Sequence, residues 1–597
     1  MSGHAPLHKA KNVKGTFFRL LKKLKPFTFS IVIILITVIF GTGMQIMAPT
    51  LFNYYLSEES IMKMFVFELG KVTGINTVAF ITPFAVIGSV YILSAVFSFI
   101  SEFTASKLGG SVSYMLRKET KEKVDHLPLS YFDKTTYGDL LSRVTNDIDT
   151  ISSSLQQIIT QVIKGIFQLV GVTIAMFIVS WQLALIALAT IPFALIIAFT
   201  IAMKSQKMYV AQQRQIGELN GQIEEVYGGY KIIKLFNKEK DVNDRFTKKS
   251  YDLSISGRNA FFMSGMIQPM LNLVHNIGYV FVCVVGGLLG SIGSIVSFFM
   301  YLNLFQQPIQ QVAQIANVIQ QTAAAGERVF EVLDAQNETE DGPNAVEADK
   351  IKGKVDFEHV DFAYDQAVPL IEDMNLHINP GDSIAIVGPT GAGKTTLVNL
   401  IMRFYETTSG TIKIDGVSLT DYKRASIRKN IGMVLQDTWL FNGTIAENIS
   451  YGNPDASREE IIEAAKEAHA HHFIETLPHG YDTILNEEAS NISQGQRQLI
   501  TIARAILSNP KIMILDEATS SVDTRTEKAL QDAMDTIMKD RTSFVIAHRL
   551  STIKNAKMIL VMNHGHIVEQ GNHKELMSKG GFYADLYNAQ FMGSKEN

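Results

Sequence analysis

The chain has 597 residues and a formal net charge of -4. That length calls for at least two domains, and the near-neutral balance speaks against a nucleic-acid binder. A single cysteine, Cys283, leaves no intramolecular disulfide and no thiolate zinc site; set in an apolar run, it reads as a small packing residue.

The chain opens on a basic stretch running from Lys9 to Lys25, in which Phe17, Phe18, Leu21 and Leu24 share one helical face among lysines. That pattern predicts an interfacial helix leading into a membrane. A membrane span needs about 20 apolar residues. Ile31 to Leu51 meets that length, as does Val78 to Phe103. The run from Ile158 to Ala202 is long enough for two spans, divided at Ser180-Trp181-Gln182. A last pair covers Phe261 to Leu289 and Ile292 to about Ile319, which makes roughly six spans in a bilayer-embedded domain over 1–334. The first span is too long for a secretory signal and lacks a small-residue cleavage site. Lysine and arginine crowd the N-terminal stretch and the loops after the second and fourth spans, while Lys63 and Lys71 alone mark the opposite side. Both termini are therefore expected in the cytoplasm. The two basic loops are longer than any connection requires, so something must pack on their tips.

A polar, acidic linker is expected over 335–354, broken at Gly342-Pro343, with a soluble α/β domain over 355–597. Its strongest signal is the phosphate loop Gly388, Pro389, Thr390, Gly391, Ala392, Gly393, Lys394, Thr395, followed by Thr396. An apolar strand, Ile384 to Val387, leads in, and a helical pattern leads out. The glycines let backbone N–H groups wrap phosphates at a helix N-terminus. Lys394 would reach the β- and γ-phosphates of ATP, and Thr395 would offer its hydroxyl to Mg²⁺. Further on, the all-apolar Ile512-Met-Ile-Leu reads as a strand of a parallel sheet buried on both faces. It delivers Asp516 towards the metal and Glu517 towards the γ-phosphate, as the group that polarises the attacking water.

With these motifs in place, the second half resembles the ATP-binding-cassette (ABC) ATPases over essentially its whole length. The resemblance implies that Tyr364 stacks on adenine and that Gln436 senses Mg²⁺ and the membrane domain. By the same resemblance Ser493, Gln494, Gly495 and Gln496 form the signature that caps the partner's ATP, Asp523 belongs to the D-loop, and His548 contacts the γ-phosphate. Tyr131-Phe-Asp with Gly138 to Asp147, and Glu225 to Asn237, are similar to the cytoplasmic loops of exporters with six spans per subunit, whose tips seat on nucleotide domains. The implied protein is one half of a dimeric, ATP-driven exporter in the plasma membrane, carrying a small amphipathic drug or lipid, with a peptide or lipid-linked cargo as the alternative. A cassette ATPase without transport and a nucleotide-gated channel are the rival classes; the spans argue against the first, and only current measurements separate the second.

The signature departs from the usual Leu-Ser-Gly-Gly-Gln, with Gln494 in place of the first glycine, and Asn486 and Ala489 replace two glycines just upstream. Because Lys394, Gln436, Glu517 and His548 are intact, the pattern resembles one member of a heterodimer with one degenerate ATP site. A homodimer that tolerates Gln494 is the neutral alternative. Gln306 and Gln310, with Asn272, His275 and Asn276, are candidates for the substrate path; interhelical hydrogen bonding explains them equally well. Ser457-Arg-Glu-Glu460 is a capping box expected to open a helix running to about Leu477, with His469, His471 and His472 as solvated surface on it.

Overall fold

A computed structural model describes residues 12–68, 71–289, 292–435, 438–486, 489–516, 524–546 and 550–589. The chain divides into two compact units. The first takes in 1–126 and 135–335; the second takes in Leu127–Lys134 and Gln336–Asn597.

The first unit is helical. Asn12 caps the helix Val13–Lys23. Its buried face is Thr16 and Leu20, continued by Leu24, while Phe18 and Leu21 stay exposed among the lysines. Long helices follow at Thr28–Tyr55, Thr77–Val124, Ile148–Val179, Trp181–Gly228, Glu239–Gly265, Ile267–Leu288 and Ile292–Asp334. Ser180 breaks the third from the fourth by capping the N–H of Leu183. Among the described residues, five helical stretches are long and apolar enough to cross a membrane. The sixth expected span falls on the glutamine-bearing helix Ile292–Asp334. The two 48-residue helices measure about 72 Å, more than twice the roughly 30 Å of hydrocarbon, so each carries a long polar extension.

Inside a bilayer, helices are held by close packing and polar contacts rather than by exclusion of water. Ser94 Oγ donates to the Gly41 carbonyl at 2.9 Å, Ser297 Oγ to the Pro49 carbonyl at 2.6 Å, and Gln168 Nε2 to the Leu304 carbonyl at 2.8 Å. Cys283 is exposed on its helix, so it is not the packing residue its apolar run implied; Val282 beside it is buried instead.

The second unit holds a six-stranded sheet in the order His566–Gly571, Met558–Asn563, Ser383–Val387, Thr542–Ile546, Ile512–Asp516, Ile431–Val434. All neighbours pair in parallel except the first two strands. Apolar clusters cover the sheet, which is why its central strands are apolar throughout. A second, antiparallel sheet combines Ile371–Ile378, Val355–Phe362, Ser409–Ile414 and Val417–Ser418. The acidic stretch before Val355 lies strapped to this unit. Arg428 Nη2 meets Glu338 at 2.7 Å, the Arg424 N–H donates to Asp341, and Ala348 and Ile351 are buried.

The helix capped by Ser457 ends at Glu467, short of Leu477, because His469 turns left-handed with φ 56°. His471 and His472 begin a separate helix, His471–Thr476, where His471 Nδ1 pairs with the Tyr481 hydroxyl at 2.8 Å.

Candidate functional site

The phosphate loop joins the buried strand Ser383–Val387 to the helix Lys394–Ile401. Gly388 passes so close to the neighbouring strand that a Cβ would sit 2.2 Å from the Met562 carbonyl oxygen. Gly393 caps the helix with φ 94°, a left-handed conformation natural to glycine. The loop thereby turns the first N–H groups of the helix outward, where a phosphate oxygen can accept them. Lys394 Nζ donates to the Gly388 and Pro389 carbonyls at 2.7 and 3.0 Å. Burial holds its pKa below the ordinary lysine value, opposed by the Asp516 carboxylate. Neutral carbonyls satisfy an ammonium only weakly compared with a phosphate, so the side chain is poised to exchange them for a triphosphate.

Thr395 is exposed beside the loop, and Thr396 is buried. Thr396 Oγ1 lies 3.1 Å from the Tyr364 hydroxyl. The half-exposed Tyr364 ring packs edge-on to Phe362 and Tyr405. Gln436, Glu517, Asp523 and His548 lie outside the described residues. The strands that lead to three of them end together: the register pairs Leu515 with Val434, Asp516 with Ile546, and Ile546 with Ile386. The phosphate loop and the segments after Val434, Asp516 and Ile546 all leave the same carboxyl edge of the sheet, where ligands of open α/β sheets bind.

Thr395 and Asp516 supply hydroxyl and carboxylate oxygens, a donor set that suits Mg²⁺, which favours a few protein oxygens with water and phosphate completing its shell. When bound, Mg²⁺ neutralises charge on the phosphates. Among the described residues no group of three or more His, Cys, Asp or Glu could hold a metal by itself.

The signature segment opens the helix Gln494–Leu507. Ser493 Oγ accepts the Gln496 N–H at 3.3 Å, and Gln496 Oε1 accepts the Ser493 N–H at 2.9 Å. This reciprocal cap leaves the Ser493 hydroxyl proton available to an outside acceptor. Gln494 is exposed at the first helical position, without left-handed backbone. Ala489 is different: it is buried, with φ 49°.

Residues 29–309 match the family ABC transporter transmembrane region, and residues 371–520 match the family ABC transporter. A fatty acid ABC transporter ATP-binding/permease protein of Mycobacterium tuberculosis is 50% identical over 480 residues, 79% of this chain and 76% of that one. The chain belongs to the ABC transporter family. A lipid A-core flippase of Syntrophus aciditrophicus is 39% identical over 521 residues, 86% of each chain. A solved bacterial Atm1-family ABC exporter with ATP bound superposes with a TM-score of 0.73 at 26% identity, covering 94% of this chain and 98% of that one. The fold is thus a helical membrane region fused to an α/β ABC domain, and the protein is an ATP-hydrolysing exporter.

The exporter's membrane unit contains a cavity of about 40 Å³, lined by Thr190, Leu271, Leu302, Phe305 and other apolar groups. Two of the expected path residues, His275 and Gln306, reach it. Their Nε2 atoms are buried and have no hydrogen-bond partner among the described residues. Asn272 and Asn276 are exposed outside the cavity, and Asn272 accepts from Gln268. Gln307 is used for packing, accepting from Gln168 at 3.2 Å. The Gln310 side chain lies outside the described residues. Of two adjacent glutamines, Gln306 thus borders a cavity while Gln307 bonds between helices. Sequence reasoning missed Tyr405, whose ring abuts Tyr364; its position just after the phosphate-loop helix was the available signal.

Proposed function

We propose that this transporter exports a fatty acid or a related lipid with a small polar head, driven by ATP binding and hydrolysis. The observation that carries the reading is the apolar membrane cavity bordered by two buried nitrogens without a hydrogen-bond partner among the described residues, the donor Gln306 Nε2 and the ring nitrogen His275 Nε2. A buried donor without a partner costs about 1–3 kcal/mol, and a carboxylate or carbonyl head would relieve that while its acyl chain stayed among lipid-like side chains. The cavity holds a head group and no more, so the chain must extend between helices or into the bilayer. The names of the fatty-acid and lipid A-core relatives agree with that chemistry. The test is ATPase activity in nanodiscs with palmitate added. Stimulation that falls severalfold in Gln306→Leu and His275→Ala is expected; palmitate without effect on the wild type overturns the reading.

In this proposal both termini face the cytoplasm at the plasma membrane, as the basic loops imply. Thr395, Asp516 and Gln436 would hold Mg²⁺, which would supply neutralising charge; Lys394 and His548 would bind the γ-phosphate, and Glu517 would orient the attacking water. Glu517→Gln should lower turnover by about 100-fold or more, the scale of a lost general base. Wild-type turnover in that variant would remove Glu517 from its role.

The partner in the dimer is assigned to a different chain, because Gln494 replaces the first glycine of the signature and Asn486 and Ala489 replace two glycines just upstream. The intact Ser493 cap and unstrained Gln494 favour the second reading, a homodimer. Native mass spectrometry and ATPase assays of this chain purified alone decide between them. Active homodimers establish the second reading. Activity gained only in a one-to-one complex with another half-transporter establishes the first.

A further inference from the structure

We propose that Gln168 is a positioning residue for cargo recognition: its amide stands in for the N–H that Pro308 lacks, and so fixes the turn of helix that presents Gln306 to the membrane cavity. The proposal rests on the reading of that cavity as the seat of a lipid head. Pro308 lies inside the helix Ile292–Asp334. Proline has no backbone N–H, so the carbonyl four residues before it loses its helical donor. Here that carbonyl belongs to Leu304, which is buried. Within a bilayer such a group must find a donor on a neighbouring element.

The donor comes from the helix Ile148–Val179. Gln168 Nε2 donates to the Leu304 carbonyl at 2.8 Å and to Gln307 Oε1 at 3.2 Å. The Leu304 carbonyl can only accept, so it is the nitrogen of the Gln168 amide that must face it. Gln168 is 2% exposed, which leaves no room for water to replace it. One turn earlier, a Cβ on Gly165 would meet Pro308 Cβ at 3.7 Å, so the proline ring packs on the same helix. The last helix therefore has two faces at this point. Leu304, Gln307 and Pro308 turn to Gly165 and Gln168, while Leu302, Phe305 and Gln306 line the cavity. Helices bend most readily at proline, and Gln306 lies two residues from this one. Its Nε2 has no hydrogen-bond partner among the described residues, so the aim of the amide depends on the backbone that carries it. Clamping Leu304 and Gln307 on one face sets the direction of Gln306 on the other.

The experiment is a double-variant cycle on the full chain in nanodiscs, read by palmitate-stimulated ATPase activity. Gln168→Met nearly keeps the length and volume of the side chain and removes the amide. It should raise the palmitate concentration for half-maximal stimulation about three- to tenfold, the scale of one hydrogen bond, with the maximal rate within about twofold of the wild type. Pro308→Ala returns the backbone N–H at 308, so Gln168→Met should add nothing in that background. An equal shift in both backgrounds shows that Gln168 acts by packing and overturns the proposal, as does no shift in the first. If Gln168→Met alone does not fold, its recovery by Pro308→Ala supports the proposal and failure to recover overturns it. A second readout needs no cargo: maleimide labelling of Gln306→Cys in protein that also carries Cys283→Ser. Gln168→Met should change the labelling rate severalfold, and should leave it unaltered in the Pro308→Ala background. Palmitate without effect on the wild type, with labelling as expected, removes the cargo reading and keeps the link. Unaltered labelling in Gln168→Met overturns the link whatever the cargo.

Discussion

Gly388 and Ala489 place opposite demands on the backbone of the nucleotide unit. At Gly388 a methyl group would strike the Met562 carbonyl at 2.2 Å, and neither side of that contact can yield without moving a strand. Gly388→Ala should therefore lower ATP affinity at least about tenfold, equivalent to roughly 1.4 kcal/mol, in a direct binding assay. Ala489 sits left-handed at φ 49° and is buried. Replacing it with glycine removes about 1 kcal/mol of backbone strain but gives up about 0.8 kcal/mol of methyl burial. The apparent melting temperature of Ala489→Gly should stay near the wild type, while that of Ala489→Val should fall. The phosphate-loop residues were legible in the sequence because the chemistry of phosphate binding dictates their types and spacing. The left-handed turn at His469 was not legible, since Ala-His-Ala-His-His offers neither glycine nor proline to mark it.

Helix starts were readable where a side chain makes them. The box Ser457/Glu460 is formed, whereas helix ends depend on packing that local letters do not show. The antiparallel hairpin Phe65–Glu68 with Lys71–Ile75 escaped notice because its strands are too short for alternation to stand out. The ion cluster that braces the first cytoplasmic loop escaped for another reason: its members are far apart in sequence. Arg328 Nη2 meets Asp139 at 2.8 Å and its Nε meets Asp147 at 3.1 Å, while Arg143 bridges Asp139 and Glu331, each at 2.8 Å. Asp147 is buried, so Arg328→Leu should leave its carboxylate to the charge of Arg143 alone, a loss of about 1.5–3 kcal/mol, the scale of one hydrogen bond to a charged group. The expected result is a clear fall in apparent melting temperature with ATP affinity unchanged. A melting temperature equal to the wild type would show that the cluster relaxes around the loss.

At the scale of the whole molecule, the two-part character was legible from hydropathy alone, because solvent differs so sharply between lipid and water. The second unit was also legible as a nucleotide machine. The assignment of Leu127–Lys134 to that unit was less so, since nothing in Leu-Ser-Tyr-Phe-Asp-Lys distinguishes a loop tip from a fragment of another body. Residues 335–354, read as a linker, are held by Arg424 and Arg428, and arginines more than 70 positions away cannot be paired by inspection. Neutralising Glu338 and Asp341 together should raise the rate of proteolytic cleavage between 336 and 354, measured on the intact protein, because it removes the carboxylates through which both arginines hold that strap.

The nucleotide unit is thus inherited in two pieces of chain, one of them only eight residues long. A gene fusion or laboratory chimera that exchanges ATPases at residue 335 would import a body and leave its smallest part behind. Recombination between related exporters should accordingly succeed more often when residues 127–134 travel with 336–597 than when the crossover respects the obvious boundary alone.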